Sequence, residues 1–132
     1  MTQSNIKAVI NSDIEKVWNT VLDVRNYHVW RSDLKKTDIL NDKQFIEYTK
    51  DDYATTFTVT FQETYKRWEF DIENNNMKGH WIGIFTSVDN KTEIDFTEYV
   101  TVKNKIMKLF IKSYLKKQQA LFVEDLRKAL EK

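Results

Sequence analysis

The chain has 132 residues and a mass of 15.9 kDa, and its 21 Lys and Arg nearly balance 20 Asp and Glu, for a formal net charge of +1. That balance gives no electrostatic reason to expect nucleic acid or an acidic partner, and the length is that of one domain, taken as 1–132. No cysteine means no disulfide, thiolate nucleophile or Cys-ligated zinc; two histidines cannot make a His-rich metal site, nor two glycines a Walker loop or dinucleotide fingerprint.

A hydrophobic fraction of 41% and an aromatic fraction of 14% are enough for a packed core. The opening Met1-Thr2-Gln3-Ser4-Asn5-Ile6-Lys7 lacks the basic and apolar regions of a signal peptide. Unbroken apolar runs are three or four residues, far short of the roughly 20 that a spanning helix needs. Cytoplasmic location without integral membrane association is the expectation, and neither a cofactor nor a metal is expected.

Residues 5–11 alternate, with Ile6, Ala8 and Ile10 on one face, and predict a strand. Ser12-Asp13-Ile14-Glu15 reads as a capping box with Ser12 as the cap. Ile14, Val17, Trp18 and Val21 then share one helical face, so a helix is predicted over 13–22. The aromatic stretch 23–33 suggests a short second helix. With no proline available, the chain turns at Asn41-Asp42, Asp51-Asp52, Asn74-Asn75-Asn76 and Asp89-Asn90. These clusters separate predicted strands at 35–40, 44–50, 54–63, 67–73, 77–88 and 92–102. In 54–63, Phe57, Val59 and Phe61 share the apolar face. In 67–73, Trp68, Phe70 and Ile72 alternate with charged residues. In 92–102, Glu98 falls on the apolar side of the alternation. From Asn104, a fair cap, to about Leu130 the period becomes helical, with Met107, Phe110, Ile111, Tyr114, Leu121, Phe122, Leu126 and Ala129 as the apolar stripe.

Such an order makes an antiparallel sheet whose apolar face needs a cover, and the terminal helix is the one element long enough. Three stretches also carry a family resemblance: Ile6 to Ile10 through Ile14-Glu15-Lys16-Val17-Trp18; Asp23-Val24-Arg25-Asn26-Tyr27 with Trp30; and Thr92-Glu93-Ile94-Asp95-Phe96-Thr97-Glu98. In this order the sequence resembles the START-like superfamily of polyketide cyclase and lipid transport proteins (SRPBCC) along its whole length. It departs from the family at Asn11-Ser12, where proline is frequent, and at Asn90-Lys91, where Gly-Gly is frequent. The resemblance implies an α+β helix-grip fold, a curved antiparallel seven-stranded sheet wrapped around a long C-terminal helix. It further implies a cavity between them for a hydrophobic or amphipathic small molecule, lipid or polyketide-like.

Several residues are candidates for contacting such a molecule. Phe57, Trp68, Phe70 and Phe96 lie on apolar strand faces, Trp81 on a strand with two apolar faces, and Trp30 is expected near the entrance. Any single one of these aromatics reads first as plain core. Glu98 either faces the cavity, with its pKa raised by desolvation, or ends in solvent. Tyr114, Gln118 and Gln119 either offer polar groups to a pocket or sit at the edge of the stripe. One alternative function is a cyclase or dehydratase drawing on Glu98, Tyr114 or His80. Arg31 and Asp33 are expected to form a local ion pair. Another alternative is a protein- or membrane-facing surface built on Lys103, Lys105, Lys108, Lys112, Lys116 and Lys117, which are otherwise a solvated face. The expected partner is the small molecule and not nucleic acid, with the chain a monomer or homodimer.

Overall fold

The computed structural model describes residues 1–131. Strand β1 (Thr2–Ile10) leads into α1 (Ile14–Leu22), a 3-10 turn (Val24–Asn26) and the short α2 (Tyr27–Trp30). Six strands follow: β2 (Leu34–Ile39), β3 (Gln44–Thr49), β4 (Ala54–Glu63), β5 (Arg67–Glu73), β6 (Met77–Val88) and β7 (Lys91–Val102). The 26-residue α3 (Lys105–Leu130) ends the chain. Every neighbouring pair is antiparallel, and the order across the sheet is β1-β7-β6-β5-β4-β3-β2. The first strand thus pairs with the last. The link that carries α1 and α2 crosses from one edge of the sheet to the other. The sheet curves around α3, which is the helix-grip arrangement.

Local chemistry explains most boundaries. β6 and β7 are joined by Asp89 and Asn90 alone, with φ of 50° and 65°. Left-handed backbone at both central residues is the type I′ geometry that matches strand twist, and Asn and Asp tolerate it best after glycine. Asn74 accepts from the backbone N–H of Asn76 and Met77 at 2.8 and 3.0 Å, which starts β6. Asn104 caps α3 by accepting from the Ile106 N–H at 2.7 Å.

Three sequence expectations are corrected. The α1 cap is Asp13, whose carboxylate accepts from the Lys16 N–H at 2.9 Å. Ser12 instead presents its carbonyl to the Thr92 hydroxyl. Phe61 is on the outer face, because a bulge between Val59 and Phe61 reverses the alternation in mid-strand. In α3 the buried positions are Ile111, Leu115, Gln119, Val123, Asp125 and Leu126, while Phe110 is 64% exposed. The helix therefore turns a different stripe to the sheet than its bulkiest apolar residues suggest.

The buried side chains form two clusters. The larger joins α1, the sheet's inner face and the end of α3, from Val17 and Trp18 through Phe85 and Phe96 to Val123 and Leu126. The smaller holds Val100, Val102, Ile111 and Leu115. Along β7 the residue between the clusters is Glu98; along α3 it is Gln119. Within the larger cluster the Trp81 indole stacks on Phe70, with centroids 4.7 Å apart and planes at 6°. It also lies over Gly83, where an added Cβ would stand 2.3 Å from Trp81 Cη2 and 3.2 Å from Phe96 Cδ1. Gly83→Ala should therefore force the indole off Phe70 and cost roughly 1–3 kcal/mol. Urea unfolding checks this, and a variant as stable as the wild type would contradict the packing described.

Candidate functional site

Between the sheet's concave face and α3 lies a cavity of about 390 Å³. Its apolar wall is aromatic. Phe45 and Phe57 stack 5.0 Å apart at 8°, Phe57 and Trp68 each meet Phe70 edge-on, and Trp81 bridges Phe70 and Phe96. Inward positions on adjacent antiparallel strands stand side by side, so alternate residues of β3 to β7 build one continuous surface. Lys50 and Asp51 of the β3–β4 turn and Tyr114 of α3 line the cavity and are exposed, which marks where it opens to solvent.

Of the residues singled out in the sequence, Phe57, Trp68, Phe70, Trp81, Phe96, Glu98, Tyr114, Gln118 and Gln119 all line this cavity. Trp30 does not line it, a departure from its expected position. It packs edge-on against Tyr27 and Phe122 at 5.5 and 5.3 Å, and those rings stand between it and the cavity's polar side chains. His80 is also elsewhere. It alternates with Trp81 and so points from the outer face, where Asp71 and Glu69 hold its two ring nitrogens at 2.7 and 2.8 Å. Burial opposes its charge, but these two carboxylates outweigh burial and raise its pKa.

The polar part of the cavity is organised by Arg31. Its terminal nitrogens lie 3.0 Å from both Asp33 and Glu47. The guanidinium sits over the rings of Tyr27 and Phe122, 4.9 and 5.1 Å from their centroids. The expected Arg31–Asp33 pair is present; Glu47, across the β2–β3 hairpin, was not foreseen. The loop is held by the buried Asp125 of α3, which accepts from the Ser32 N–H and hydroxyl at 2.8 and 2.9 Å. Burial raises the pKa of Glu47 although Arg31 acts against the shift.

Two neighbouring polar residues differ in kind. Gln119 is satisfied: its Oε1 accepts from the Ser4 hydroxyl at 2.7 Å, and its Nε2 donates to the Ser4 carbonyl at 3.0 Å. It fastens α3 to β1. Glu98 has no such partner; among the described residues none hydrogen-bonds to its carboxyl. Burial, reinforced by Glu47 and opposed by Arg31, pushes its pKa up to about 7. Arg31 Nε and Trp68 Nε1 are fully buried without partners, whereas Glu98 is partly buried. The arrangement supplies an apolar wall, a fixed ion network and one unpaired carboxyl. Among the described residues no group of three or more His, Asp or Glu is placed to hold a metal, and no helix is long and apolar enough to cross a membrane.

No protein-family model matches the sequence, and no curated protein matches it. Solved structures do match. A START superfamily protein from Mycobacterium smegmatis is 13% identical, with 98% of this chain and 97% of that one covered at a TM-score of 0.90. A conserved protein from Geobacillus kaustophilus is 13% identical, covering 97% and 94% at 0.85. The di-domain ARO/CYC protein BexL of the BE-7585A biosynthetic pathway is 10% identical, with 96% of this chain matching 45% of that one at 0.81. At these identities the likeness is one of fold, and this chain has the START-like fold.

A carboxyl whose folded pKa exceeds its unfolded value holds a proton that the unfolded chain has released, so stability falls as pH rises between the two values. For Glu98 that window runs from 4.5 to about 7. Glu98→Gln should thus match the wild type near pH 5 and exceed it by roughly 1–3 kcal/mol at pH 8. Urea melts at both pH values check this; equal pH dependence in the two proteins would contradict the environment described for Glu98.

Proposed function

We propose that the protein binds a hydrophobic or amphipathic small molecule in the cavity between the sheet and α3. The observation that carries this reading is the aromatic wall. Five strands direct stacked rings at a helix whose facing side chains, Tyr114, Gln118 and Gln119, leave the space between them open. A volume of about 390 Å³ falls within the few hundred to a thousand Å³ usual for ligand pockets. The START-like fold of the M. smegmatis protein and the ARO/CYC designation of BexL support a small-molecule role. Contact with the occupant falls to Phe57, Trp68, Phe70, Trp81 and Phe96 along its apolar part, and to Glu98, Tyr114 and Gln118 at its polar part. Proton-transfer chemistry in the same cavity would draw on Glu98 and Tyr114 without His80, which lies on the other face; binding without turnover is the reading preferred here.

The neutral, apolar fluorophore N-phenyl-1-naphthylamine tests it, with Trp68 and Trp81 in the wall as energy donors. Saturable one-to-one binding is expected, weakened about tenfold by Gln118→Phe, which fills the open end with apolar bulk, on the order of 1.4 kcal/mol. A signal that never saturates, or one that Gln118→Phe leaves unchanged, overturns the reading.

A second reading concerns the first half of α3. Ile106, Leu109 and Phe110 are 68%, 78% and 64% exposed. They stand among Lys105, Lys108, Lys112 and Lys116, and no acidic residue occurs from Lys103 to Val123. Apolar side chains rimmed by lysines suit an anionic lipid surface. Sedimentation with phosphatidylglycerol vesicles should exceed that with phosphatidylcholine, and Leu109→Glu with Phe110→Glu should abolish it. Equal sedimentation with both lipids would remove this reading.

A further inference from the structure

The charges around the cavity are unequal. Its lining holds two cations, Arg31 and Lys50, and four carboxyls, Asp33, Glu47, Asp51 and Glu98. Lys50 and Asp51 are adjacent in an exposed turn and offset each other near the opening. Arg31 is held in place, because both terminal nitrogens already hold carboxylates and two aromatic rings lie beneath the guanidinium, and only its Nε–H is without a partner. It cannot turn to an anionic ligand without leaving Glu47 alone in a buried place, which is costly.

Glu98 is the carboxyl left over. Its cross-strand neighbours are Ser4 of β1 and Trp81 of β6. The Ser4 hydroxyl is spent on Gln119, and the Trp81 indole is stacked on Phe70. The charged and titratable groups around Glu98 are Glu47 from β3, Arg31 and Asp33 from the loop before β2, and Tyr114 from α3. None is an uncommitted cation. A carboxyl in such a place is stabilised in its charged form by a cation or donor brought in from outside. The adjoining wall of Trp81, Phe70 and Phe96 presents ring faces that attract an ammonium group as well as hydrocarbon. A fatty-acid carboxylate would instead meet three carboxyls, with both terminal nitrogens of the nearby guanidinium occupied and only the Arg31 Nε–H and the Trp68 Nε1–H unpartnered.

We infer that the occupant is an amphipathic amine, an apolar tail bearing a protonated nitrogen head, and that Glu98 receives the head. This rests on the cavity being a binding site, and the experiment separates the two. Decylammonium, decanol and decanoate are titrated against the full chain carrying N-phenyl-1-naphthylamine, at pH 6 and pH 8. At pH 8 decylammonium should displace the fluorophore at a concentration at least about tenfold below that of decanoate, with decanol between them. Its affinity should rise about tenfold from pH 6 to pH 8 as Glu98 ionises around pH 7. Glu98→Gln should weaken decylammonium about tenfold at pH 8, flatten its pH dependence and leave decanol within about twofold, since the shape is kept and only the charge removed. Decanoate binding as well as the amine overturns the inference, as does an amine affinity indifferent to both pH and Glu98→Gln. If the fluorophore binds and none of the three displaces it, the head-group inference fails and the cavity reading stands. If the fluorophore itself does not bind, both fail.

Discussion

The way α3 is fastened to β1 governs the rest of the molecule. Hydrogen bonds cross from the helix to the edge strand along most of its length. Lys112 donates to the Gln3 carbonyl, Gln119 exchanges two bonds with Ser4, Arg127 donates to the Val9 carbonyl, and Glu131 accepts from the Asn11 N–H just beyond the strand. A helix held to one edge cannot also fill the hollow of a strongly curved sheet. The strands farther off, β3 to β5, must cover their inner faces with their own side chains. They do so with aromatic rings, which reach furthest and tile against one another at favourable angles. The open space is therefore what remains when a straight rod is tied to one side of a bent surface.

Polar chemistry occurs where the apolar packing is interrupted. Phe96 belongs to the larger cluster and Val100 to the smaller, with Glu98 between them on the same face of β7. Leu115 and Val123 bracket Gln119 in the same way on α3. The two interruptions differ in consequence. The Gln119 amide has its partners in Ser4 and acts as a clasp. The Glu98 carboxyl has none and keeps its electrostatic deficit. Close by, Arg31, Asp33 and Glu47 form a buried ion network that does not by itself favour stability, since desolvation offsets most of its attraction. Its effect is positional: the loop after α2 stays against α3, with Asp125 holding Ser32 from the helix side.

Much of the architecture was legible because each strand carries its own period and Asn or Asp marks most ends. Trp68, Phe70 and Ile72 against Arg67, Glu69, Asp71 and Glu73 leave no doubt about which face is inward. Glu98 could be placed inward by the same counting. Apart from the α1 cap, which falls one residue later at Asp13, the failures depend on something distant in the chain. A bulge in β4 turned Phe61 outward, and nothing local announces it. Phe110 looked like core because its size outweighed its angular position, whereas the helix face is chosen by where β1 grips it. Glu47 joins Arg31 across a hairpin and Asp125 reaches Ser32 from 93 residues away, so neither partner was visible.

The pairing of β1 with β7 has a bearing on how the molecule is made. Their matched residues run from Ile10 with Thr92 to Thr2 with Val100, which are 82 and 98 positions apart. A ribosome delivers the opening strand long before its partner exists. Meanwhile the meander from β2 onward can zip together in sequence, each hairpin templating the next. The newborn first strand must wait unpaired, and β7 emerges with a bare hydrogen-bonding edge that only a return of the chain's own beginning can cover. Closure therefore depends on the pairing of longest sequence separation in the sheet, and the grip on the helix uses that same strand.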